Sequence, residues 1–320
     1  MTLRTPNPYR SYQSLLDFQR SKERLAVLQE QITKDKRIVR ISDDPSGVAL
    51  IMDFQTSIER NKMYVKQGEA ASSFLKGTES ALNSINTQMD RLLELAELGV
   101  SEITPEHGRE ATAAEVNGLL KILFDVGNTK EQGKYIFSGT NTATQPFGWR
   151  DPAPDPFTLI DPITLLPVDS VVEYNGNLGN IDMDVSATAS ITTNLTGAYV
   201  FQGGTPPNPS QDIFTAVVRL REGLINDDTD QIRDAYNDIR AIKERINVCL
   251  ATVGSRHVQL ENSATNLEDF NEALQSIQNT YDGLNYPETY SKWGEEQTIQ
   301  QAALATLAKM GGFSLFDYIG

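Results

Sequence analysis

Two histidines, His107 and His257, and the single cysteine, Cys249, are the side chains best suited to metal ligation or nucleophilic attack. Zinc sites need several such ligands at set spacings, and neither histidine opens an H-E-x-x-H pattern or belongs to a Cys/His cluster. A thiol nucleophile needs a partnered histidine. Cys249 instead falls on an apolar heptad position, where a thiol acts as a small hydrophobe. A lone cysteine forms no internal disulfide, so the fold does not depend on oxidation. There is no P-loop and no G-x-S-x-G elbow, and Gly127 and Gly133 do not make a dinucleotide fingerprint. The adjacent carboxylates of Ser42-Asp43-Asp44-Pro45 could hold a cation or move protons. Their spacing fits a helix start better: Asp44 as N-cap, Pro45 at the first helical position, and Asp43 facing the positive helix end. These residues predict neither catalysis nor a cofactor.

The strongest pattern is one of position. Steps of three and four from Ile232 give Ile232, Ala235, Ile239, Ile242, Ile246, Cys249, Val253, Arg256, Leu260, Ser263, Leu267, Phe270, Leu274, Ile277, Tyr281 and Leu284. Only Arg256 and Ser263 interrupt this apolar heptad seam. It predicts a helix about 80 Å long that needs a partner helix to cover its stripe. Leu75, Thr78, Leu82, Ile85, Met89, Leu92, Ala96 and Gly99 keep the same rhythm and supply that partner. A shorter helix is predicted from Arg109 to Gly127, after a break marked by Pro105 and Gly108.

Residues 140–209 read differently. Nine of the fourteen prolines lie between Pro146 and Pro209, and no Lys or Arg stands between Asp151 and Thr205, against seven acids. The runs Val171–Tyr174, Ile181–Val185 and Ala198–Phe201, with turn signals Asn175-Gly176 and Gly203-Gly204, predict a small inserted β-rich domain. Its lack of cations predicts that it stands clear of the acidic C-terminal helix and faces solvent. Pro287 is expected to end the long helix. A last helix is expected from about Thr289 to Met310, stopped by Gly311-Gly312, before the apolar tail Phe313–Ile319.

The fold class is therefore mainly α. The predicted form is an elongated antiparallel coiled coil of N- and C-terminal arms, residues 41–139 and 210–285, with the β-rich insert at 140–209. Residues 1–40 and 286–320 are left as terminal assembly segments that pair with each other. Leu15, Phe18, Leu25, Leu28 and Ile32 on one segment face Trp293, Leu304, Leu307, Leu315 and Tyr318 on the other. Charge supports the pairing: residues 1–40 hold nine Lys/Arg and four Asp/Glu, whereas residues 261–320 hold two and nine. A net charge of −15 leaves no broad basic field for nucleic acid. No apolar run is long enough to cross a membrane, and the N-terminus shows no secretory h-region.

Lys36-Arg37-Ile38-Val39-Arg40-Ile41-Ser42-Asp43-Asp44-Pro45 resembles the signature of the flagellin family, as does the terminus Leu315-Phe316-Asp317-Tyr318-Ile319. The block Asn128–Thr140 followed by Pro146-Phe147 is similar to the hook–filament junction members of that family, as is the stretch from Tyr174-Asn175-Gly176 to Gly197–Phe201. The resemblance covers most of residues 10–147 and 171–320. It implies a structural subunit of the bacterial flagellum, located outside the cell at the hook–filament junction and exported by the flagellar type III route. The implied partners are copies of the chain in a ring, the first junction protein, flagellin and an export chaperone. It also implies termini that are mobile in the monomer and become ordered in the assembly. Two departures stand out: Lys34-Asp35 where members carry Ser-Gly, and Tyr286-Pro287-Glu288-Thr289-Tyr290 in place of an acidic run. The other readings are a short filament flagellin and a junction protein whose β-domain serves adhesion. An inserted metalloprotease ranks last, because the insert contains no histidine.

Overall fold

The computed structural model describes residues 8–100, 106–149, 172–204, 208 and 210–316. Its helices are α1 (Pro8–Lys34), α2 (Pro45–Val100), α3 (Glu106–Gly127), α4 (Gly197–Gln202), α5 (Ile213–Asn226), α6 (Thr229–Asp282) and α7 (Tyr286–Phe316). Six short strands form three antiparallel pairs: β1 (Lys130–Glu131) with β2 (Lys134–Tyr135), β3 (Phe147–Trp149) with β4 (Val172–Tyr174), and β5 (Asp182–Asp184) with β6 (Ser190–Thr192). The protein is mainly α with a small β-rich insertion. It divides into two compact units, one of residues 62–267 and one of residues 1–61 with 268–320.

The unit of residues 62–267 is built on the heptad seams. Leu75, Leu82, Ile85, Met89, Leu92 and Ala96 of α2 are buried in one core with Ile232, Ala235, Ile239, Ile242, Ile246, Cys249 and Val253 of α6. Burying each large aliphatic side chain favours this pairing by about 1.5–3 kcal/mol. Tyr236 with Glu97, Lys243 with Asp90, and Ser72 with His257 (3.3 Å to Nδ1) fix the two helices antiparallel. Helices α3 and α5 pack together in the same unit. Asp212 starts α5 by accepting from the Thr215 N–H at 2.6 Å. Phe137, Phe147, Phe201 and Phe214 are fully buried where these helices meet the insert. Phe201 stacks on Phe214 with ring centroids 5.6 Å apart and lies 4.8 Å from Phe147.

The turn chemistry explains the strand pairs. Gln132 (φ 51°) and Gly133 (φ 80°) form a two-residue loop between β1 and β2, the backbone shape that matches strand twist. Gly139 (φ 70°) lies so close to Asn177 that a Cβ would stand 2.2 Å from its carbonyl oxygen, which restricts the site to glycine.

Several expectations need correction. Ala198–Phe201 is helical, not extended, and forms most of α4. A four-residue apolar run carries too little periodicity to separate strand from helix. Here Ala198, Val200 and Phe201 are all buried. The long helix ends at Asp282, before Pro287. Pro287 is the second residue of α7, where its missing N–H breaks no helical bond. Helix α7 also runs on through Gly311-Gly312 to Phe316. Glycine ends a helix where the backbone turns left-handed, and neither of these is among the positive-φ glycines of the described residues. Val171 and Pro105 lie outside the described residues.

The insert does not stand clear of the long helix. Arg256 donates to the Asn194 carbonyl at 2.9 Å, Ser263 donates to the Val185 carbonyl at 3.1 Å, and Arg245 donates to the carbonyls of Val200 and Gln211. At these contacts the cations come from α6. Arg256 and Ser263 are the two residues that interrupt the apolar seam, and both are spent on this contact. Arg256→Ala is expected to speed amide exchange in β5 and β6 about tenfold, the loss of about 1.4 kcal/mol from one charged hydrogen bond. Exchange in the α2–α6 core should stay at the wild-type rate; equal acceleration there would mean that Arg256 supports the core and not the insert.

Candidate assembly interface

The second unit contains both terminal helices. Helix α1 packs along α7, antiparallel: Lys36 bridges to Gly283 at one end, and Arg24 reaches Glu296 further along. At the centre the Glu296 carboxylate accepts from Ser21 Oγ at 2.8 Å and from Arg24 Nε at 2.6 Å. The Arg24 guanidinium, with Ser21, holds the Glu296 carboxyl below its ordinary range.

The loop after α1 clasps the end of α6. The Arg37 N–H donates to the Asp282 carbonyl at 2.7 Å, and Arg37 Nε donates to the Tyr281 carbonyl at 2.9 Å. Lys36 Nζ lies 3.0 Å from the nearly buried Asp282 carboxylate. The Arg37 guanidinium thus sits on a last-turn carbonyl, and Lys36 on the carboxylate of the last residue, both at the helix end where the dipole is negative. The segments Lys34-Asp35 and Tyr286–Tyr290 meet at this joint. Asp35 takes a left-handed conformation (φ 54°), which aspartate tolerates better than most residues. The Tyr286 phenol donates to the Asp35 carboxylate, which pushes its pKa up. Tyr286 in turn stacks on Tyr290, with ring centroids 6.0 Å apart.

Asp44 precedes α2, and its Oδ1 accepts from the Gly47 N–H and from Ser46 Oγ, both at 2.9 Å; Pro45 is the first helical residue. Asp43 accepts from the Arg40 N–H at 2.9 Å and closes the preceding turn. The Gly47 amide, then Ser46 and Arg37, hold the Asp44 carboxyl below its ordinary range. A depressed carboxylate contributes stability above the ordinary Asp range and loses it as pH falls through the folded value. The stability gap between the wild type and Asp44→Ala should therefore narrow as pH falls from 7 to about 3. Denaturant melts at the two pH values measure it, and a constant gap would exclude the carboxylate as its source.

The structure sorts the predicted interface residues. Phe18, Leu25, Leu28 and Ile32 on α1 and Trp293 on α7 are half-buried. Leu15 and Leu304 remain 44% and 49% exposed, so the described residues leave about half of each uncovered. Leu307 and Leu315 lie on α7, but their side chains, and Tyr318 altogether, are outside the described residues. On α7 the side chains that turn inward besides Trp293 are Thr289, Glu296, Gln300 and Ala303. Phe270, Ile277 and Tyr281, at the far end of the α6 seam, are exposed as well. Heptad spacing fixes which residues share a face and is silent on whether a partner covers it. Ser21, Arg24 and Glu296 went unnoticed in the sequence. Their signal was position: Ser21 is the polar member of the series Phe18, Ser21, Leu25, Leu28, Ile32.

One unit with paired terminal helices and another with long packed helices and a β-rich insert define a mainly helical protein. Residues 9–142 match the model of the bacterial flagellin N-terminal helical region. The chain is 23% identical over 308 residues to flagellar hook-associated protein 3 of Escherichia coli, covering 90% of each chain. It is 22% identical to the Salmonella typhimurium protein of the same name, covering 91% of each. The fold is shared with the flagellar junction protein FlgL of Legionella pneumophila: TM-score 0.58 at 17% identity, covering 73% of this chain and 99% of that one. The likeness read from Lys36–Pro45 and Asn128–Phe147 is the one these relatives bear out.

Proposed function

We propose that this chain is a structural subunit of the bacterial flagellum that joins hook to filament. The observation that carries the reading is the likeness to flagellar hook-associated protein 3 along nine-tenths of both chains. The exposed apolar residues on α1 and α7 support it, because they need a neighbour to cover them. The work is mechanical, not enzymatic. Phe18, Leu25, Leu28, Ile32 and Trp293 hold residues 1–40 to residues 286–320. Leu15 and Leu304 are the described residues offered to other subunits; Leu307, Leu315 and Tyr318 continue the apolar sequence beyond them. The partners are further copies of this chain in a ring, the first junction protein below and flagellin above, reached after export from the cell with a chaperone. Exposed ion pairs add about 0–1 kcal/mol each, so charge aligns the subunits and apolar burial holds them.

The test is attachment. Purified chain should bind isolated hooks that carry the first junction protein and should not bind hooks that lack it. Equal binding to both, or to neither, would overturn the junction role. The flagellin N-terminal region is also consistent with a short filament flagellin. That reading requires the purified chain to polymerise into long filaments alone, which a junction subunit does not do.

A further inference from the structure

The inward-facing series of α1 and α7 are unequal. On α1, Phe18, Leu25, Leu28 and Ile32 are similar apolar side chains. On α7, Thr289, Gln300 and Ala303 are small or polar, and Trp293 is the one large apolar side chain among the described inward positions. Sliding the helices past one another by a turn would bury much the same apolar area. Apolar packing therefore discriminates poorly between alignments. The polar centre discriminates well. Ser21 is fully buried, with 0% of its surface exposed, and its hydroxyl goes to Glu296. A shift of one turn in either direction would place the Glu296 carboxylate against Phe18 or Leu25. A carboxylate so placed loses the Ser21 hydroxyl and faces an apolar side chain instead. One polar residue in an apolar helix seam is known to fix register at a cost in stability.

We propose that Ser21, Arg24 and Glu296 form a register lock, which selects one axial alignment of α1 on α7 and so determines which apolar residues the paired helices present to a neighbouring subunit. The lock deepens the assembly reading and rests on it only for this consequence; the alignment itself belongs to the single chain.

The test is a spin-label distance on the full chain carrying Lys22→Cys and Gln297→Cys, both exposed positions on the two helices. Cys249 stays unlabelled because it is buried and its thiol is pushed up to about 11. The chain with an intact lock should give one distance. Ser21→Leu/Glu296→Leu should keep the helices paired but give two or more distances, spread by about 5 Å per helical turn of slippage. Ser21→Ala/Glu296→Ala, which removes polarity without adding bulk, should spread in the same way. A single unchanged distance in both variants overturns the lock. Separation of the helices in the Leu variant overturns it too, since an apolar centre should hold them at least as firmly. So does the absence of any defined distance in the chain with Ser21 and Glu296 intact. Hook attachment is scored separately on the unlabelled chain, so failure of the junction role and failure of the lock are told apart.

Discussion

Removing residues 300–320 is expected to leave a folded helical monomer that no longer attaches to hooks. The contiguous buried core lies between Ala71 and Leu260, so the deletion touches none of it. Arg24, Ser21 and Glu296 also remain, as do the clasp contacts of Lys36 and Arg37. What disappears is the last part of α7, with the exposed Leu304, and the apolar tail Phe313-Ser314-Leu315-Phe316. Covering even two such side chains in a neighbouring subunit contributes about 4 kcal/mol, so attachment should weaken roughly a thousandfold. Co-sedimentation with isolated hooks measures the loss, and circular dichroism checks that the helices persist. A truncated chain that attaches with full affinity would remove the terminal helix from the interface.

The largest effect on stability is expected for Phe201→Ala, at about 3–5 kcal/mol. Phe201 is fully buried and touches three aromatic neighbours, Phe137, Phe147 and Phe214. It comes from the short helix α4, whose six residues cannot hold a helix without tertiary packing. Truncation opens a cavity and also releases α4 from the core. Urea unfolding followed by tryptophan emission should report the change, because Trp149 stacks on Phe124 at 4.5 Å beside the same cluster. The α1–α7 pairing, in the other unit, should be unaffected. A loss below about 1 kcal/mol would mean that the cluster repacks and that α4 is dispensable.

Legibility in the sequence followed the range of the interaction. The helices containing Leu75–Ala96 and Ile232–Val253 were read correctly because repeated three- and four-residue spacing survives any local error. The cap chemistry at Asp44 and Pro45 could be proposed because it spans a few residues. Ala198–Phe201 was misread because four apolar residues fit either period. The insert was misplaced for a different reason. Missing cations suggest avoidance of an acidic helix, but Arg245 and Arg256 on that helix meet the insert's carbonyls. The breaks at Arg256 and Ser263 marked the contact, but a polar residue in a seam does not name its partner.

The amino-acid order alone determined the helical character of this protein and the faces its apolar residues share. Those properties follow from periodicity and residue type, which are local. The tertiary structure alone decided which faces are covered: the insert against α6, Ser21 and Arg24 against Glu296, and Asp35 against Tyr286, while Leu15 and Leu304 stay about half exposed. Coverage depends on what lies across a gap in space, and residues hundreds of positions apart in the chain become neighbours only when it folds.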